Sequence, residues 1–196
     1  MLRWFDDLPK LERKHDLDLL VADHSMAAVC AELSLWPVGH PVDLYSVSGL
    51  DDSDCRVAGP AAKGEPRYPL FPAAIASGIL KRRIRFKDLC YVPDAHDHFC
   101  ALAYHATYIK GAASGLTAEA PTGEAAGPAS HDYAATLRLL AGRAGIQLGN
   151  GVTRSQLDDL LAELGWRPGT TQLRQFAASA PWLQRKHFGE ELSKSA

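Results

Sequence analysis

The sequence lacks several features that mark whole classes of protein. It has no apolar run of about 18 residues, the length that a helix needs to cross a bilayer, so no membrane span is predicted. Its start carries no apolar segment of the signal-peptide type. The four cysteines (Cys30, Cys55, Cys90 and Cys100) form no Cys-x-x-Cys spacing, which disfavours a zinc knuckle or a redox pair. Scattered thiols are typical of a reducing compartment, so we expect a cytoplasmic protein.

An excess of basic charge is also missing. The 196 residues include 21 Lys and Arg against 23 Asp and Glu, which gives a net charge of −2. Proteins that bind nucleic acid without sequence preference usually present a broad basic surface, so a nucleic-acid partner is not expected. The hydrophobic fraction of 46% and the charged fraction of 22% are those of an ordinary globular chain that buries a core.

Two acidic residues lie inside an apolar stretch near the start. Leu17, Leu19 and Val21 alternate with Asp16 and Asp18, which is the period of a β-strand with one packed face and one free face. Both carboxylates therefore share a face, about 6–7 Å apart, where like charges repel unless a cation compensates them. Mg²⁺ is a suitable cation because it prefers hard oxygen ligands and is often held by carboxylates together with substrate phosphates.

A second apolar stretch carries a third acid. Asp43 lies between Val42 and Leu44 in a segment that predicts another strand, and a helix from Met26 to Leu33 is predicted between the two strands. If the two strands are neighbours, Asp43 joins the same acidic cluster. The order strand, helix, strand is typical of α/β and α+β folds.

This acidic pattern resembles the nucleotidyltransferase superfamily of the DNA polymerase β type. The resemblance implies an α+β fold with a small mixed β-sheet core packed with helices, followed here by a helical C-terminal region. It implies that Asp16, Asp18 and Asp43 are catalytic and hold Mg²⁺ or Mn²⁺, and that Asp43 helps to activate the attacking hydroxyl.

The phosphate-binding side departs from the family. The family has a Gly-Ser turn whose backbone N–H groups cradle phosphate, and no Gly-Ser pair lies upstream of Asp16 here. A short strand is predicted at 2–5, near the expected place of that turn. The candidate phosphate contacts are therefore cations, namely Arg3, Lys14 and Lys110.

The chain divides into three regions by composition. Residues 1–110 form the predicted nucleotidyltransferase-like core with its packed helices. Residues 111–130, rich in Gly, Ala, Ser, Thr and Pro, predict a flexible linker or loop. Residues 131–196 predict a helical region, in which Thr153 and Gln156 have the spacing of a capping box.

Two further clusters leave alternatives open. His98 and His105 lie two turns apart on one face of a helix predicted from 95 to 110, either as half-buried packing residues or as contacts to nucleotide or acceptor. Five cations fall within residues 81–87. Favourable charge at a helix C-terminus is one interpretation of this run, and a docking surface for phosphates or an anionic acceptor is the other.

The resemblance therefore implies a metal-dependent transferase. It would move a nucleoside monophosphate from an NTP such as ATP to an acceptor hydroxyl on a small molecule, a sugar or a protein. The alternative is a degenerate nucleotidyltransferase fold that serves as a binding or assembly domain without catalysis.

Overall fold

The fold is a mixed α+β arrangement of seven α-helices and four short strands among the residues described here. The computed structural model describes residues 1–6, 8, 17–35, 41–50, 69–119, 127, 129, 131–149 and 151–189. Two compact units are present, Met1–Asp94 and Ala95–Ala196. The domain boundaries predicted from the sequence, at 110 and 130, stay predictions. In the described part of the chain, no helix is both long enough and apolar enough to cross a membrane.

The first unit contains a parallel strand pair. Strands β1 (Leu17–Val21) and β2 (Val42–Ser46) pair in parallel, as the sequence predicted strands there. Parallel neighbours require a crossover connection, and helix α1 (Met26–Leu35) lies in the segment that joins them. Helix α2 (Ala73–Arg82) follows and packs against β1.

A hairpin completes the first unit. Strands β3 (Ile84–Phe86) and β4 (Cys90–Val92) are antiparallel, and the sequence interpretation missed β3 because it assigned these residues to the basic end of α2. The short strand predicted at 2–5 is wrong. Trp4 has a φ of 54°, which breaks the extended conformation, although Leu2 N donates a hydrogen bond to Asp18 O at 2.8 Å.

The burial of β1 differs from the predicted pattern. The alternation predicted that Leu17, Leu19 and Val21 would pack and that the aspartates would face a free surface. Asp18 is instead the buried residue of this strand, and the three apolar residues are half-buried. The physical reason is that Arg3 covers and neutralises the Asp18 carboxylate.

The second unit is helical. Its helices are α3 (Ala95–Tyr104), α4 (Tyr133–Ala144), α5 (Arg154–Glu163), α6 (Thr170–Ala178) and α7 (Pro181–Phe188). Helix α3 is buried from Asp97 to Tyr104 and packs against α4 and α5. It continues as a π-helix, His105–Lys110, where the sequence predicted an unbroken α-helix. The predicted capping box of Thr153 and Gln156 at the start of α5 is confirmed.

Candidate functional site

The parallel pairing of β1 and β2 brings two of the predicted acids together. Asp18 of β1 is the register partner of Asp43 of β2. Directly opposed residues of neighbouring strands point to the same side of a sheet, and the strands are about 4.8 Å apart. The two carboxylates therefore lie on one face, although Asp18 is buried and Asp43 is only half-buried.

Arg3 is the third charged residue at this place. Its Nη2 donates to Asp18 Oδ1 in an ion pair, and only 2% of the Arg3 side chain is exposed. The buried Leu2 and Phe5 hold the segment that carries it, because Phe5 packs edge-to-face on Phe86 with ring centroids 5.1 Å apart. Arg3 Nε and Nη1 are also buried and have no hydrogen-bond partner within the described residues. An arginine held this way has donors to offer to an anion.

Tyr45 adds a polar group that the sequence interpretation missed. It lies two residues after Asp43 on β2, so both side chains share a face, and its hydroxyl is 3.5 Å from Asp43 Oδ2. Burial raises the pKa of Tyr45, and the negative charge of Asp18 raises it further against the opposing charge of Arg3. Tyr45 therefore stays protonated and acts as a hydrogen-bond donor. Its spacing of two from Asp43 is the signal that would have identified it.

The other predicted site residues are Asp16, Lys14 and Lys110. Asp16 and Lys14 lie outside the described residues, so their predicted roles stay predictions. Lys110 is exposed at the end of the π-helix in the second unit. The structure thus brings together Arg3, Asp18 and Asp43.

The fit of a divalent metal depends on the state of Asp18. The carboxylates of Asp18 and Asp43 are hard oxygen donors of the kind that Mg²⁺ prefers. Across the described ranges, no group of three or more His, Cys, Asp or Glu side chains is placed to hold a metal ion, and the predicted third ligand, Asp16, is not in those ranges. Because Arg3 already neutralises Asp18, a metal there requires the guanidinium to share or release this carboxylate.

Two of the histidines of the second unit, His98 and His105, were singled out from the sequence. His98 and His105 are both more than nine-tenths buried. Nδ1 of His105 is 3.2 Å from the hydroxyl of Tyr133, which lies on α4. The geometry therefore favours the first of the two interpretations, histidines that pack within the helical unit.

A buried carboxylate, Asp158, organises the second unit and was not singled out from the sequence. It accepts a hydrogen bond from the Tyr108 hydroxyl at 2.6 Å and from Arg167 Nη2 at 2.7 Å. His187 Nε2 lies 2.9 Å and Lys186 Nζ 3.2 Å from its Oδ2. Asp158 is thus saturated with donors from within its own unit, as expected of a structural carboxylate.

Comparison with known proteins adds no family assignment to this geometry. The chain matches no protein-family model, no curated protein and no solved structure.

Proposed function

We propose that this protein is a metal-dependent nucleotidyltransferase that moves a nucleoside monophosphate from an NTP to an acceptor hydroxyl. The observation that carries the proposal is the register of the parallel strands, which sets Asp18 beside Asp43 on one face. Two neighbouring carboxylates on a sheet are costly without a compensating positive charge, and such pairs are common where a metal meets phosphate.

In this proposal Asp18 and Asp43 hold Mg²⁺ or Mn²⁺, with Asp16 as the further ligand that the sequence predicts. The metal supplies charge neutralisation at the phosphates during in-line displacement. Arg3 binds phosphate oxygens through its buried Nε and Nη1 donors, taking the role that a Gly-Ser turn has in the family. Tyr45 donates a hydrogen bond and so helps to orient Asp43.

The Arg3 and Asp18 ion pair couples the binding of the two ligands. A phosphate bound at Nε and Nη1 of Arg3 would share the guanidinium charge with Asp18 and would leave more of the carboxylate charge to attract a metal. Metal and nucleotide therefore bind together more tightly than either does alone.

Calorimetric titration with Mg²⁺ and each NTP tests the proposal. The wild-type chain is expected to bind at least one NTP in the presence of Mg²⁺. Asp18→Asn or Asp43→Asn should weaken that binding at least about tenfold, since each removes a charged ligand. Glu32→Gln removes one negative charge from an exposed position of α1 and serves as the matched control. Release of pyrophosphate with a panel of acceptors then tests transfer itself.

A second function, a binding or assembly domain without catalysis, is favoured by one observation. The Asp18 carboxylate already has a buried counter-charge within the chain, which is an arrangement that needs no metal. This function predicts no metal-dependent nucleotide binding, and Asp18→Asn then lowers only the stability of the fold. Equal NTP binding by wild type, Asp18→Asn and Asp43→Asn, or none in any of them, excludes the transferase.

A further inference from the structure

The segment 81–94, named here the basic hairpin, carries a local excess of positive charge. Five cations and two carboxylates, Asp88 and Asp94, give it a charge of +3 in a chain whose net charge is −2. The cations begin in the last turn of α2 and continue along β3. All five are on exposed residues, so the charge is presented to solvent.

Cross-strand pairing gives the basic hairpin an outer face. Arg85 is the register partner of Tyr91, so these two exposed side chains share a face. The Arg83 guanidinium lies 4.9 Å from the centre of the Tyr91 ring and extends the same face. Lys87 points elsewhere, because its Nζ donates to the carbonyl oxygens of Asp6 and Leu8.

The basic hairpin also exposes apolar side chains beside its cations. Of the seven large hydrophobic side chains exposed in the described residues, three lie here: Ile84 at 50%, Leu89 at 54% and Tyr91 at 53%. Leu89 lies directly after Lys87 and Asp88, both of which have positive φ. A hydrogen bond from Leu89 N to Phe86 O, at 2.9 Å, closes this turn, so Leu89 is held at the tip of a defined loop.

We propose that the basic hairpin docks on the surface of an anionic lipid membrane. Cations near such a surface each contribute about 1 kcal/mol of attraction. The exposed aliphatic side chain at the tip, Leu89, enters the boundary between headgroups and acyl chains, and tyrosine is favoured at the same depth. This inference is independent of the proposed transferase activity.

The apolar residues decide between a lipid surface and a single-stranded nucleic acid. Surfaces for single strands combine cations with aromatic platforms on which bases stack. Ile84 lies on the face opposite Arg85 and Tyr91, so the outer face and the tip present the aliphatic Leu89 and the aromatic Tyr91, whose ring is covered by Arg83. Aliphatic groups gain from acyl chains and not from bases, so the composition favours the membrane.

Vesicle co-sedimentation of the full chain tests the proposal. The probes are vesicles of phosphatidylcholine alone and of phosphatidylcholine with phosphatidylserine in equal parts. The wild type is expected to bind only the second kind and to lose binding as salt rises. Lys81→Gln/Arg83→Gln/Arg85→Gln should reduce the partition on the order of a hundredfold, from three lost cations. Leu89→Ser should reduce it several-fold without a change in charge.

The matched control removes three exposed cations of the second unit, Arg138→Gln/Arg143→Gln/Arg185→Gln, and should retain most of the binding. Circular dichroism confirms that each variant is folded, and Leu89→Ser keeps the test decisive if the triple variant is not. Equal binding to both kinds of vesicle, or equal losses in the triple variant and its control, overturns the proposal. So does unchanged binding by Leu89→Ser together with displacement from vesicles by a single-stranded oligonucleotide, which would identify a nucleic-acid surface.

Discussion

Arg3 and Asp18 form a buried ion pair whose two charges depend on each other. Removing one partner leaves the other charge buried without compensation, which costs about 3–5 kcal/mol, whereas removing both is far less costly. We therefore expect Arg3→Met and Asp18→Asn each to lower the free energy of unfolding strongly. The double variant should lose less unfolding free energy than the two single variants lose together, by at least about 1 kcal/mol. Urea unfolding followed by circular dichroism measures all three.

The exposed pair of Arg85 and Asp88 is the control for this cycle. The two groups are 3.1 Å apart, but their side chains are 61% and 90% exposed. Exposed pairs contribute about 0–1 kcal/mol because water and salt screen them. Arg85→Met and Asp88→Asn should therefore have small, additive effects. Additive losses at Arg3 and Asp18 as well would show that their interaction contributes nothing to the fold.

The charge of Asp158 makes the stability of the protein depend on pH. Burial alone would raise the pKa of Asp158, but hydrogen bonds from Tyr108 and Arg167 and the charge of His187 hold it below its ordinary value of 3.8. A lowered folded-state pKa means that the charged form stabilises the native state above that ordinary value. This stabilisation is lost as the pH falls through the folded-state pKa.

Asp158→Asn should therefore cost about 3 kcal/mol of unfolding free energy at neutral pH, because the donors around it lose their charged acceptor. The deficit relative to wild type should shrink as the pH falls from the ordinary aspartate pKa through the lowered folded-state pKa of Asp158, below which the native wild-type residue is protonated too. Denaturant unfolding across acid pH measures this difference. Asp159→Asn is the control, since its side chain is 59% exposed and meets the same Arg167 and Lys186. If the loss of unfolding free energy in Asp158→Asn did not change with pH, the stabilising role of the Asp158 charge would be contradicted.

At the scale of elements, the end of the π-helix depends on a glycine. Gly111 has φ 52° and ψ −125°, a conformation that residues with a side chain rarely adopt. Gly111→Ala should therefore destabilise the protein by about 1–3 kcal/mol. Gly142 lies inside α4 with ordinary helical geometry and open space around it. Gly142→Ala should stabilise it by about 0.5–1 kcal/mol.

Thermal unfolding of the two glycine variants measures the change in melting temperature, which is expected to be negative for Gly111→Ala and positive for Gly142→Ala. A stabilising Gly111→Ala would mean that the chain leaves the π-helix without the strained backbone. The comparison uses the same chemical change twice, so a general effect of added alanine cannot explain opposite results.

At the scale of the whole molecule, local sequence patterns predicted where the helices and strands lie better than they predicted the tertiary contacts around them. Alternation predicted β1 and β2, and the Thr153 and Gln156 spacing predicted the start of α5, because these signals depend on neighbours in sequence. The β3 strand was missed because three residues between a helix and a turn give too little alternation to detect.

The surroundings of the candidate site depend on contacts between distant residues. Nothing in the alternation of β1 indicates that Arg3, fifteen residues before Asp18, covers the acidic face. The register that joins Asp18 to Asp43 follows from the parallel pairing of β1 and β2, whereas the sequence predicted the two strands but neither their direction of pairing nor their register. The Asp158 cluster was missed for the same reason, since its partner Tyr108 lies 50 residues away.

The Asp158 cluster also bears on how the chain folds as it is synthesised. Its donors come from the π-helix, from the segment after α5 and from α7, so they emerge from the ribosome in succession. Domains tend to fold as units during synthesis, and Asp158 is buried at a cost that only its complete set of donors offsets. The helical unit can therefore reach its native packing only after α7, which supplies Lys186 and His187, has left the exit tunnel.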